Sequence, residues 1–218
     1  MSSALVPIVK VTGYIPSKIY FRRKIYYVNK EVQNRKIRGA AIIVSNHTAV
    51  IDFGLYLFLF GGRTIHPLVG EVLYKKNKMF TFFLKNMGCI KVNRDIYDFS
   101  FMTEALDKLF KGKVVMVFPE ARIPTKEETD LLEFKPSFVS LALESGAPII
   151  PTYTDGLYGK KGPASVIIGE PINLHELYDN DLDEKENIEF LCNYVRDYIK
   201  GLGDKLHGIK EEKKQKSK

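Results

Sequence analysis

Seven short runs rich in Val and Ile recur along the chain, at 25–28, 40–44, 65–70, 90–92, 114–118, 148–153 and 165–168. Near-continuous apolar runs of this length suit strands covered on both faces, as in a mixed or parallel sheet. Between them the apolar residues fall at helical spacing over 51–60, 78–87, 99–110, 136–145 and 184–200. In 99–110 the stripe is Met102, Leu106, Leu109 and Phe110, and Gly112 follows as a C-cap. Strands alternating with helices predict an α/β fold: a layered, mixed and largely parallel sheet with helices on both faces.

The ends depart from this rhythm. Within residues 1–30, Leu5, Val6, Ile8, Val9, Val11, Ile15, Ile19 and Phe21 are interleaved with Lys10, Lys18, Arg22, Arg23 and Lys24, while Pro7, Gly13 and Pro16 cut the segment into short pieces. Aliphatics beside basic charge predict a helical, amphipathic segment at a membrane interface; a helix packed on the core with its lysines in water is the competing account. Residues 31–204 form the predicted catalytic domain. The stretch 205–218 is charged and lacks an apolar period, so a frayed or loosely membrane-attracted tail is expected there.

Composition narrows the class. At 218 residues, 45% apolar and 27% charged, the chain suits one globular domain with a proper core. A net charge of +7 and a pI near 9.2 call for an anionic partner without choosing among lipid, nucleic acid and phosphorylated substrate. The longest strongly apolar run, 53–60, falls far short of the roughly 20 residues of a spanning helix, and no signal-peptide pattern opens the chain. Cys89 and Cys192 have neither metal nor redox spacing, so no metal is expected. Aromatics alternate with lysines over 74–87, which suits stacking on single-stranded nucleic acid, the core, the wall of an apolar tunnel, or a lip dipping into lipid. No nucleic-acid-binding motif accompanies them, and no nucleic-acid partner is expected.

The chemistry-bearing segment is Ser45-Asn46-His47-Thr48-Ala49-Val50-Ile51-Asp52. A histidine in the turn after a strand and an aspartate in the first turns of the next helix can meet. Together they can strip a proton from an alcohol near neutral pH, the carboxylate fixing the tautomer. A structural role for His47 accounts for the pair alone equally well.

Three further blocks follow in order. Gly88 is followed six residues later by Arg94; Phe118-Pro119-Glu120 follows a strand; and Ala147-Pro148-Ile149-Ile150-Pro151 closes the set. With Asn46, His47 and Asp52, these blocks resemble the lysophospholipid acyltransferase family over about residues 40 to 175. Phe134-Lys135, 141–146 and 168–172 also read like that family. The third block departs from its Phe-Pro-Glu-Gly-Thr-Arg pattern, with Ala121, Arg122 and Ile123 in the last three places. In the second, Lys91 and Asn93 replace more usual residues.

The resemblance implies a glycerolipid acyltransferase-like fold. His47, oriented by Asp52, would act as general base on a glycerol hydroxyl of 1-acylglycerol 3-phosphate, with acyl-CoA or acyl-carrier protein as co-substrate and no other cofactor. Arg94 is the expected phosphate ligand, with Arg122 and Lys135 as further candidates. Gly88 and Glu120 are expected at the acceptor site, Glu120 either binding the acceptor or holding the site's geometry, a role that a buried structural ion pair would mimic. Oxyanion donors are expected among backbone N–H groups of the first or third block. The expected place of action is the cytoplasmic face of an anionic membrane, reached peripherally or monotopically. The altered third block leaves another lysolipid or glycerol 3-phosphate open as acceptor. A lipid hydrolase with the same base and a non-catalytic lipid- or nucleic-acid-binding module also stay open; the lack of a Gly-x-Ser-x-Gly elbow speaks against an acyl-enzyme route.

Overall fold

A computed structural model describes residues 3–93, 99–128 and 130–216. In chain order the elements are α1 (Leu5–Thr12), α2 (Tyr14–Phe21), β1 (Lys24–Tyr27), β2 (Ala41–Ser45), α3 (Asp52–Leu59), β3 (Ile65–Gly70), α4 (Glu71–Tyr74), α5 (Lys78–Asn86) and β4 (Ile90–Val92). They continue with α6 (Ser100–Phe110), β5 (Val114–Val117), α7 (Ser137–Ser145), β6 (Ile149–Thr154), β7 (Ser165–Ile168) and α8 (Glu184–Gln215).

The seven strands form one sheet in the order β1-β7-β6-β2-β5-β3-β4. Every neighbouring pair is parallel except β6 with β7. This is the mixed, largely parallel sheet expected, and β1 brings its edge strand from within residues 1–30. Side chains alternate across the central strands because successive Cβ atoms point to opposite faces. Ile42, Val44, Val115 and Val117 pack with Phe138, Leu141, Leu191 and Val195 on the α6–α7–α8 side. Ala41, Ile43, Val114 and Met116 pack with Leu55, Tyr56 and Phe21 on the α2–α3 side.

Two ends differ from expectation. Pro7 and Pro16 do not break their helices, because each is the third residue, where the backbone N–H would lack an intrahelical partner anyway. Lys10, read as a cation for the leaflet, turns inward and donates to the carbonyls of Gly61, at 3.0 Å, and Arg63.

At the other end, 205–215 is not a frayed tail: α8 runs unbroken to Gln215. An Asp183–Glu186 capping box starts it. Leu191, Val195, Ile199, Leu202 and Leu206 carry one buried stripe through the supposed boundary, and Lys210 pairs with buried Asp155 at 2.7 Å. Gly203 is what lets the helix lie so close to the sheet, since a Cβ there would stand 2.9 Å from the Tyr153 ring.

Candidate active site

The C-terminal ends of β2, β5 and β6 lie side by side, the edge where ligands gather in open α/β sheets. Ser45 ends β2, and Asn46 pins the next residue. Its side chain donates to Thr154 O at 2.9 Å and accepts from Thr154 N–H at 2.9 Å, tying the turn to the end of β6. His47 therefore leaves the sheet from a fixed point, and Asp52 opens α3.

His47 Nδ1 lies 2.9 Å from Asp52 Oδ2. The same oxygen accepts from the backbone N–H of Thr48 (2.6 Å) and of Ala49 (2.9 Å). Asp52 Oδ1 takes the hydroxyls of Thr48 (3.0 Å) and Tyr158 (2.6 Å). Asp52 is fully buried, while the His47 side chain keeps 20% of its surface. With Nδ1–H given to the carboxylate, Nε2 is left as the proton acceptor. The imidazole also stacks on Phe118 from the end of β5, ring centroids 4.4 Å apart at 18°, so its plane is set from two sides.

Glu120 holds the His47 backbone. Oε1 accepts the His47 backbone N–H at 2.7 Å and Oε2 that of Leu132 at 3.1 Å. Burial pushes its carboxyl above the ordinary value, against the pull of those two N–H donors and of His47. In this arrangement Glu120 positions the His47 backbone and lines the site. Ala121 follows it with φ +59°, a left-handed conformation, at the place where the resembling family has Gly.

These groups open into a cavity of about 370 Å³ lined by Asn46, His47, Thr48 and Glu120 on one side. The opposite wall includes Tyr153 and α8 residues Lys200, Gly203, Asp204 and His207, which the helix reaches only because it continues past Lys200. Arg196 fixes that wall by donating to the carbonyls of Leu131 and Leu132.

The other expected site residues are placed differently. Arg122 is exposed beside the cavity and is held bidentately by Glu128, at 2.7 and 2.5 Å, so its charge is already matched. Among the described residues Gly88 and Lys135 do not line the cavity. Gly88 (φ +74°) makes the turn from α5 into β4, where its carbonyl accepts from buried His66 at 2.8 Å; a Cβ there would press on that ring. Lys135 has an exposed side chain, and its backbone N–H bonds Pro119 O. Arg94 lies outside the described residues. The backbone N–H groups of residues 47–49, expected among the oxyanion donors, are all committed, to Glu120 and Asp52.

Tyr158 and the α8 residues are the members that sequence reasoning missed. Tyr158 carries no local signal, since it meets Asp52 across 106 positions of chain. The α8 set does: Lys200, Gly203, Asp204 and His207 are spaced three, four and seven residues on from the first, one face of a helix.

No curated protein matches the chain by sequence. Among solved structures it is similar to the 1-acyl-sn-glycerophosphate (LPA) acyltransferase PlsC from Thermotoga maritima, with TM-score 0.63 and 20% identity over 91% of this chain and 79% of that one. At that identity the likeness speaks for the fold alone. A model of the acyltransferase family matches residues 24–155, well over half of the chain and inclusive of every group that holds His47 except Tyr158. The chain belongs to the acyltransferase family.

Proposed function

We propose that the protein transfers a fatty acyl group from an acyl thioester to a glycerol hydroxyl of 1-acylglycerol 3-phosphate, making phosphatidic acid at a membrane surface. The observation that carries this reading is the His47–Asp52 pair at the mouth of the cavity, with Nε2 the uncommitted ring nitrogen. In the reaction His47 Nε2 takes the hydroxyl proton as the alcohol oxygen attacks the thioester carbonyl carbon. The tetrahedral intermediate collapses with cleavage of the C–S bond, and the imidazolium returns its proton to the departing thiolate. Asp52 holds the ring and stabilises the imidazolium.

The membrane reading rests on surface chemistry. Val11, Ile15 and Ile19 expose 79%, 67% and 71% of their surface, and Met79 and Phe82 expose 80% and 63%. These two sets sit on helices that touch: α1 packs on α5, with Val6, Leu84 and Met87 in one buried cluster. Lys18, Lys75, Lys76 and Lys78 flank the patch, an arrangement suited to an anionic leaflet. Among the described residues no helix is long and apolar enough to cross a membrane.

The test is thiol release from an acyl thioester with and without 1-acylglycerol 3-phosphate, for wild type and His47→Ala. Acceptor-dependent release that falls at least about 100-fold in the folded variant is the expected result. Release that ignores the acceptor would replace transfer by hydrolysis.

A further inference from the structure

The strand directions put a second cavity on the catalytic edge. Since β7 runs against β6 and β1 runs with β7, the first residues of these strands, Ser165 and Lys24, stand at the same edge as the ends of β2 and β6. Over them lies a cleft of about 790 Å³. Lys24 from β1, Lys161 from the turn before β7, and Lys210, Lys213 and Lys214 from α8 converge on it.

The local charge balance is positive. Glu211 pairs with Lys214 at 2.6 Å, and Asp155 behind the wall pairs with Lys210 at 2.7 Å, which leaves three lysines in excess. Lys213 lies over the Tyr26 ring at 4.6 Å. A merely solvated basic helix would spread its lysines outward. Here they meet lysines from two other elements across a concavity floored by Tyr26, Leu157 and Pro163. The catalytic cavity has the opposite character: with Glu128 matched by Arg122 and Lys200 by Asp130, Glu120 and Asp204 remain in its lining.

A short loop separates the two. Leu157 faces the cleft and Asp155 holds Lys210 from behind its wall, while Gly156 abuts Thr48 and Tyr158 bonds Asp52. From β1 to β2 is three strand spacings, roughly 15 Å. α8 runs along both cavities, with His207 in one and Lys210 a single turn further in the other.

We propose that this cleft seats the phosphate-bearing end of the acyl donor, the nucleotide phosphates of a coenzyme-A-class thioester, whose arm passes the 155–158 loop to present its carbonyl to His47. The proposal rests on the acyl-transfer reading above. Ammonium groups bind phosphates as point charges, and the ring of Tyr26 with its apolar neighbours suits a base. A concave cleft fits such a small ligand better than the broad surface a carrier protein needs.

The test uses the full chain and the charge reversals Lys24→Glu, Lys161→Glu and Lys213→Glu, with thermal melting to confirm folding. Adenosine 3′,5′-bisphosphate is titrated by calorimetry at two salt concentrations. The kcat/KM for an acyl-CoA is compared with that for the same acyl group on N-acetylcysteamine, which has no phosphate. The expected result is salt-sensitive nucleotide binding weakened at least tenfold in each variant, with a matching fall in the ratio of the two kcat/KM values. Absent or unaltered nucleotide binding would overturn the proposal, as would an effect confined to acyl-carrier protein or to adsorption on anionic vesicles. Nucleotide binding with no turnover of any thioester would keep the cleft's ligand and sink the acyl-transfer reading.

Discussion

Tyr158 donates its hydroxyl hydrogen to Asp52 Oδ1 at 2.6 Å, so the carboxylate that steers His47 is itself steered by the loop after β6. Burial and the neighbouring Asp52 push the phenol well above its ordinary pKa, so it stays a donor throughout the working range. Removing the hydroxyl takes one of five donors from a dry carboxylate. A hydrogen bond to a charged group is worth about 1.5–3 kcal/mol. Tyr158→Phe is expected to lower kcat by roughly tenfold or more with KM for the acceptor little changed, as read by steady-state thiol release.

Glu120 yields a prediction with a pH sign. Its folded pKa stands above the usual 4.5 because burial outweighs its two N–H donors. An acid with a raised folded value holds its proton more tightly when folded. Its stabilising contribution is therefore full below the unfolded value and lost as pH rises through the folded one. In Glu120→Gln that dependence is gone, so wild type should lose stability relative to the variant as pH rises from the ordinary carboxylate value of 4.5 through the raised folded one in denaturant titrations. The amide can accept from only one of the N–H groups of His47 and Leu132 and points its NH2 at the other. The His47 backbone shifts, and kcat/KM is expected to fall by about 10–100-fold.

Ala121 occupies left-handed backbone with a side chain that disfavours it, at about 1–2 kcal/mol. Glycine removes that strain and returns part of the gain as chain entropy. Ala121→Gly is expected to stabilise the protein by about 0.5–1 kcal/mol in urea unfolding. Ala121→Val should destabilise it, a β-branched side chain being worse there.

The fold was legible because its strands are short runs of Val and Ile: 65–70, 90–92 and 165–168 coincide with β3, β4 and β7 residue for residue. The His47–Asp52 contact was legible too, because a turn-to-helix spacing of five residues is local. What was hidden is what depends on distant chain. Sequence leaves Glu120 between acceptor ligand and prop of the site, and only the fold shows both its oxygens taken by backbone N–H groups, one of them 73 residues away. Arg122 reads as a phosphate cation until Glu128 is seen to hold it. The extension of α8 was hidden for a different reason, since Gly201 and Gly203 look like a helix stop. The apolar period through Leu202 and Leu206 continues across them, and tertiary packing overrides the weak local preference.

Those two glycines can be told apart by substitution. At Gly201 nothing lies within 4 Å of a new Cβ, so Gly201→Ala should gain helix propensity, up to about 1 kcal/mol, and raise the melting temperature. At Gly203 the same methyl would meet the Tyr153 ring at 2.9 Å. Overpacking of this kind costs about 1–3 kcal/mol and outweighs the propensity gain. Gly203→Ala is expected to melt earlier, and to lower kcat/KM as well, because Gly203 and Tyr153 both line the catalytic cavity.

The exposed apolar patch on α1, α2 and α5 makes the last prediction. A fully buried Ile contributes about 1.5–3 kcal/mol relative to leaving it exposed, and Ile15 and Ile19 are two-thirds exposed or more. If they enter a leaflet, replacing either by Glu removes that gain and adds a charge repelled by anionic headgroups. Ile15→Glu and Phe82→Glu should each cut sedimentation with phosphatidylglycerol-containing vesicles by at least about tenfold. Turnover of water-soluble thioester and acceptor analogues should persist, since neither residue lines the catalytic cavity. Undiminished vesicle binding in both variants would move the membrane contact to another face, and loss of soluble turnover would mean that the patch supports the fold rather than the leaflet.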